Sequence, residues 1–365
     1  MADDVRVRRI AAMRGCDRIL DGVRPKSLRE RLAELSEAAG PELMPDYYGD
    51  GLVGELEDRV AGLLGAEAAV FFPTGTMAQQ VAIRYGADLT GRSTVALHPL
   101  GHQEMHERRA YADLTGLRSV HPTAAPRNPT AAEIAALPEP VGTVVLELPM
   151  RDAGFVLPTW AELTEVCEAA RGSGARVHLD GARLWESAPY LGHSLAEIAG
   201  RADSTYVSFY KTLGGLSGAA LTGTTALAAY ARLWRHRYGG QLFQQWPAVL
   251  SALVGLDREL PRVPEYVRHA RTIAAALAQL PGAVVFPQPP HTHQFRLWLP
   301  HPAALLNDAG LLLAEEEKVW FTGGWRDTEI PGHAVTEVSV QSPALEWGTD
   351  EVIDTGLRLL DRVQN

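Results

Sequence analysis

The sequence predicts an α/β protein: a large domain on a mostly parallel sheet with helices on both faces, followed by a smaller α+β domain. Three observations predict it. Apolar runs of strand length at residues 67–72, 143–148, 175–180, 204–210 and 218–223 are separated by segments of helical periodicity. The runs are apolar nearly throughout, as strands covered on both faces are. Beyond about residue 245 the alternation stops, and one long helical stretch precedes several strand-like runs and a last helix.

Taken in order, residues 26–39 carry Leu28, Leu32 and Leu35 among charges, the spacing of a surface helix, and residues 55–64 repeat the pattern. The run EAAVFF ends at PTGT and MAQQVAIRYGADL resumes a helix, which gives strand, turn, helix. Between TVVLEL (143–148) and ARVHLD (175–180) lies the amphipathic segment 159–174, stopped by Gly172 and Gly174. STYVSFY (204–210) and GAALTG (218–223) flank KTLGGLS. A helix over 247–280, broken near Pro261 and Pro264, leads to VVFPQ, HQFRLWL, KVWFTGG, TEVSVQ and the helix DEVIDTGLRLLDRV. The expected division is an N-terminal arm (1–40), a large domain (41–245) and a small C-terminal domain (246–365).

Composition narrows the function classes. A chain of 365 residues with 46% hydrophobic and 21% charged residues is an ordinary globular protein. A net charge of -10 and the lack of a basic run argue against a nucleic-acid surface. No apolar stretch is long enough to span a membrane, and the N-terminus has no signal-peptide pattern. Two cysteines, Cys16 and Cys167, are too few for a disulfide framework, so the cytoplasm is the expected compartment.

Ligands of open α/β sheets bind beyond the carboxyl ends of the strands. One motif there first suggests a metal. GHQEMHE (101–107) places His102 and His106 on one helical face. Glu104 points the opposite way, and Pro99 and Gly101 keep His98 off that face, so no metal is expected.

Three other stretches fit one cofactor. PTGTM puts Gly75 and Thr76 at a helix start, where free N–H groups favour an anion, although a threonine cap is also a common way to begin a helix. Asp180 ends a strand in VHLDGARLW, where a salt bridge to Arg183 or an N-cap for the following segment is the plain alternative. Lys211 follows the strand run in SFYKTLGGLSG, and glycines 214, 215 and 218 let the backbone pass close to something flat; a lysine reaching out from the sheet edge is the plain alternative there. A lysine for a Schiff base, a carboxylate for a ring nitrogen and a phosphate cradle together describe pyridoxal 5'-phosphate (PLP).

At these residues the sequence resembles the threonine aldolase and β-eliminating lyase family of fold-type-I PLP enzymes. PTGTM, HLDGAR and the lysine followed by TLGG carry the resemblance, and DYYGD (46–50), LGAEAAVFFPTGT (64–76), GHQEMHERRAYADLTG (101–116) and RHRYGG (235–240) extend it in order. The resemblance implies that Lys211 attaches the cofactor, Asp180 pairs with its ring nitrogen, His102 stacks on its ring with acidic Glu107 nearby, and Gly75, Thr76 and Ser208 hold its phosphate. It implies that Arg183 binds the substrate carboxylate and that Tyr48 completes the site of a partner subunit, in a homodimer or homotetramer with shared active sites.

The sequence also departs from the family. Its first 45 residues lack the family's Ser-Asp-Thr stretch, Tyr210 replaces the serine before the lysine, and Phe243 replaces an arginine before Gln244. TEVSVQSPALEW lacks the second carboxylate-binding arginine, which leaves Arg326 and Arg296 as candidates for that role. The expected activity is cleavage of the Cα–Cβ bond of a β-hydroxy-α-amino acid to glycine, or a related amino acid, and an aldehyde. The alternatives are β-elimination or aldol transfer on another amino acid, and a catalytically silent homologue acting through its interfaces.

Overall fold

The computed structural model describes residues Ala2–Gln364. The chain divides into two compact units, one comprising Glu34–Pro261 and the other joining the residues up to Ala33 to those from Arg262 onward.

The first unit is built on seven strands: β1 (Ala68–Phe72), β2 (Thr94–Ala96), β3 (Arg118–Val120), β4 (Thr143–Glu147), β5 (Arg176–Gly181), β6 (Ser204–Ser208) and β7 (Ala219–Gly223). Their order across the sheet is β1-β7-β6-β5-β4-β2-β3. Only β7 runs against its neighbours; the five strands from β6 to β3 are parallel. The helices used below are α1 (Leu52–Leu64), α2 (Gly75–Thr90), α3 (His102–Met105), α4 (Trp160–Gly172), α5 (Thr225–Arg237) and α6 (Trp246–Arg258).

Alternation along each strand splits the apolar residues between two cores. Phe71, Val207, Phe209 and Ala220 pack with Leu56 and Val60 of α1 and Leu253 of α6 on one face. Val70, Phe72, Tyr206 and Leu221 pack with Val81 of α2 and Leu227 of α5 on the other. Both faces are covered, which is why these strands read as continuous apolar runs. Helix starts follow their capping residues: Thr159 and Glu162 form a reciprocal capping box at α4, and Thr224 caps α5.

The second unit has a four-stranded antiparallel sheet of β8 (Val284–Phe286), β9 (Gln294–Leu299), β10 (Arg326–Asp327) and β11 (Ala334–Ser339), in the order β10-β11-β9-β8. Phe295, Leu297 and Leu299 share a core with residues of α7 (Val263–Leu277), α8 (Ala303–Glu317) and α9 (Thr349–Gln364), while alternate β9 positions are half-exposed.

Two boundaries differ from expectation. The break in the long helix at Leu260–Arg262 is also where the units divide, so α6 stays with the first unit; its Val249, Leu253 and Leu256 are part of that unit's core. The N-terminal residues are not a separate arm. Arg18–Ile19 pairs in parallel with Val319–Trp320, and Leu20 is fully buried in the core of the second unit. Among the described residues no helix is long and apolar enough to cross a membrane.

Candidate active site

The titratable residues collect where the parallel strands end. Glu147 is the last residue of β4 and Asp180 the last but one of β5, and they lie opposite each other in register; Lys211 follows β6 by three residues. Asp180 is fully buried. Its Oδ1 accepts the Ala182 N–H at 3.1 Å and its Oδ2 accepts an N–H of the Gln103 amide at 3.0 Å. No cation pairs with it among the described residues, so the salt bridge to Arg183, one of the plain alternatives, does not form. A buried carboxylate held by two neutral donors is short of a positive partner.

Lys211 lies within electrostatic reach. Burial pushes its ammonium down to about 8 and the Arg183 charge pushes the same way, against Asp180, Glu147 and Glu186. Its side chain is half-buried, with Nζ 5.8 Å from the centroid of the Tyr210 ring. Burial and the neighbouring Asp180 raise the Glu147 carboxyl, and burial raises that of Glu186 to about 7. Glu186 accepts the Thr212 hydroxyl proton at 3.0 Å.

In GHQEMHE each histidine has its own carboxylate. His102 Nδ1 is 3.1 Å from Glu107 Oε1, and His106 Nε2 is 2.6 Å from Asp152 Oδ2. Glu107 is held in turn by Gln80 at 3.0 Å, and the His102 backbone N–H donates to Glu147 Oε2 at 3.2 Å. Glu104 turns away to Tyr111 and His121. Among the described residues no three His, Cys, Asp or Glu side chains are grouped to hold a metal.

Gly75 and Thr76 are the first residues of α2, and the N-cap is Thr74, whose hydroxyl accepts the Met77 N–H at 3.3 Å. A Cβ at Gly75 would collide with the Tyr206 hydroxyl, so only glycine lets this helix start pack against that side chain. Ser208 is buried and donates its proton to the Ala182 carbonyl at 2.8 Å. Arg183 lies over the Phe155 ring at 5.5 Å, and its buried Nε has no hydrogen-bond partner.

Two glycines of the SFYKTLGGLSG stretch serve packing instead of clearance for a ligand. A Cβ at Gly218 would meet the Phe71 ring, and one at Gly215 the Phe209 backbone. Tyr48 is more than half exposed, in a left-handed conformation (φ 54°), with its N–H donating to the Phe243 carbonyl at 3.0 Å. Arg326 belongs to the second unit, where it faces Glu337 at 3.8 Å.

Gln103, Glu147 and Glu186 lie among these residues without having been singled out in the sequence. Glu147 carries a recognisable signal, since it ends a strand run as Asp180 does. Gln103 has only its adjacency to His102.

The residues fit PLP on structural grounds: a buried carboxylate with no cation paired to it among the described residues, a half-buried lysine of lowered pKa, and a helix start whose first N–H groups have no partner within the helix. Residues 34–298 match the β-eliminating lyase family. The chain belongs to that family. As a β-eliminating lyase family member it is a PLP-dependent lyase.

A solved protein of an Exiguobacterium species, named as a candidate aromatic amino acid β-eliminating lyase/threonine aldolase, is 37% identical, with 97% of this chain and 99% of that one covered at a TM-score of 0.90. A candidate L-allo-threonine aldolase of Listeria monocytogenes is 32% identical over 98% and 99% of the two chains, also at 0.90. The low-specificity L-threonine aldolase of Escherichia coli is 30% identical over 250 residues, which are 67% of this chain and 74% of the relative.

Proposed function

We propose that this lyase cleaves the Cα–Cβ bond of a β-hydroxy-α-amino acid, releasing an aldehyde and glycine or a related amino acid. The observation that carries the reading is the fully buried Asp180 carboxylate, paired with no cation among the described residues, with Lys211 near enough for the two charges to interact. Relatives named threonine aldolases support it.

Lys211 would attach PLP, Asp180 would face its ring nitrogen, and the N–H groups of Gly75 and Thr76 would hold its phosphate. Ser208 would join them as an acceptor or after turning from Ala182. When bound, PLP supplies an electron sink for the pair released as the Cα–Cβ bond breaks. The chain's residues do the rest.

Lys211, near neutrality, has an electron pair to offer a carbonyl and can hold a proton afterwards. Arg183, whose Nε has no hydrogen-bond partner, offers the substrate carboxylate a guanidinium that forms no ion pair among the described residues, although its charge is felt by Glu186 and Glu147. His102, with Nδ1 turned to Glu107, keeps Nε2 for the proton of the β-hydroxyl. Arg326 is the candidate for a second carboxylate contact, and Tyr48 acts in the site of a partner subunit of a homodimer or homotetramer. The reaction belongs in the cytoplasm, which suits two buried free cysteines.

The test is a visible absorption titration of purified protein with PLP, followed by glycine, L-threonine, L-allo-threonine and L-phenylserine with aldehyde release monitored. A band that shifts with these amino acids and releases aldehyde supports the aldolase. The same band without aldehyde directs the assignment to β-elimination. No band at all overturns the cofactor reading.

A further inference from the structure

The two donors to Asp180 are not equivalent. Ala182 is two residues away, and its N–H comes with the turn whatever its side chain. Gln103 is 77 residues away on α3, so its bond depends on side-chain identity. Its side chain is 1% exposed. The amide can face the carboxylate only through nitrogen, because its oxygen would set two acceptors against each other. Each Asp180 oxygen accepts one bond and keeps a lone pair, so the carboxylate is fixed in rotation yet open to one more donor.

The helix that carries Gln103 is also fastened elsewhere. Glu147 on β4 accepts the His102 N–H, and Glu107, just beyond α3, is tied to Gln80 of α2. Asp180 through Gln103 is a third attachment, to β5. His102 and Gln103 are consecutive, so the group assigned to the cofactor's face and the donor that orients the group assigned to its edge share one short rigid segment.

We propose that Gln103 is a positioning residue: it sets the rotation of the Asp180 carboxylate toward the cofactor's ring nitrogen and couples it to the segment bearing His102. The inference rests on the PLP reading above. Leucine at 103 would fill similar space with no donor. Asp180 would lose one of its two hydrogen bonds, and with it the donor that fixes its orientation.

The experiment titrates apoprotein with PLP by visible absorption for wild type, Gln103→Leu, Asp180→Ala and the double variant, with thermal unfolding of each apoprotein alongside. Gln103→Leu should raise the Kd for PLP about ten-fold and move the absorption maximum of the bound cofactor. In the Asp180→Ala background the same substitution should change Kd less than two-fold, because Gln103 acts through that carboxylate. Where Gln103→Leu does not fold, the near-isosteric Gln103→Glu replaces it; a second carboxylate facing Asp180 should weaken PLP at least as much. An unchanged Kd and spectrum in the single variant, or an equal loss in both backgrounds, overturns the inference. Failure of wild type to bind PLP would instead defeat the function proposed above, so the two failures are distinguishable.

Discussion

His102 presents Nδ1 to Glu107 at 3.1 Å while the Glu107 carboxylate is itself fully buried. Burial works to lower the His102 pKa, but the bond to Glu107 and the charges of Asp180 and Glu107 outweigh it, and the net shift is upward. A base must be neutral, so kcat/KM should fall as pH drops through that raised value. Glu107→Gln keeps an acceptor for Nδ1–H but removes the charge, so the acid limb should move down by about one pH unit. A pH–rate profile with an unmoved limb would show that His102 is not the titrating base. His102→Phe should lower both the cleavage rate and the affinity for PLP.

Lys211 gives a prediction that needs no substrate. With its ammonium brought down to about 8, the rate at which apoprotein takes up PLP should rise with pH and level off above about 8, well below the ordinary lysine range. Stopped-flow absorption reads this directly. Lys211→Ala should abolish the covalent cofactor absorption, and its retention would place the attachment elsewhere.

The parts of this molecule that were legible in the sequence are those with short-range causes. Five strands and the helix starts follow from local apolar runs and capping residues, and Asp180 and Lys211 stood out because charge beside a buried strand is costly. β2 and β3, three residues each, have too little pattern to read. The place of Leu20 in the core of the second unit arises from pairing with a strand some 300 residues later, which no window of sequence contains. Gln103 and the packing roles of Gly215 and Gly218 are likewise tertiary. Glycines read as room for a ligand turned out to be room for Phe71 and Phe209.

Arg183 is the arginine whose loss should act on substrate more than on cofactor. Its guanidinium is over Phe155, whose own backbone is held in a left-handed conformation (φ 63°), an uncommon state for a bulky residue that the surrounding packing must maintain. Arg183→Leu should raise KM ten-fold or more through loss of a charge-assisted pair worth roughly 1.5 to 3 kcal/mol, with PLP affinity little changed. Steady-state kinetics with the best amino acid found above would decide. A KM near that of wild type would move the carboxylate site to Arg326 or Arg296.

His178, two residues before Asp180 on β5, yields a prediction about stability. It is fully buried with both ring nitrogens engaged, Nδ1 with Ser204 at 2.8 Å and Nε2 with Gln79 at 2.6 Å. Burial lowers its pKa to about 4. The unfolded chain, with an ordinary histidine, takes up a proton below about 6.5 that the folded chain refuses until about 4, so stability is lost as pH falls through that window. At pH 5 the loss is about 2 kcal/mol by linkage. Glu147 and Glu186, whose carboxyls are raised, act in the opposite direction, so wild type alone cannot isolate the histidine. His178→Leu removes the titration and strands the Ser204 and Gln79 partners, so it should be less stable than wild type at pH 7.5. Urea melts should show that gap narrowing by about 2 kcal/mol at pH 5. A gap that stays constant would mean that His178 accepts a proton in the folded protein as readily as in the unfolded one.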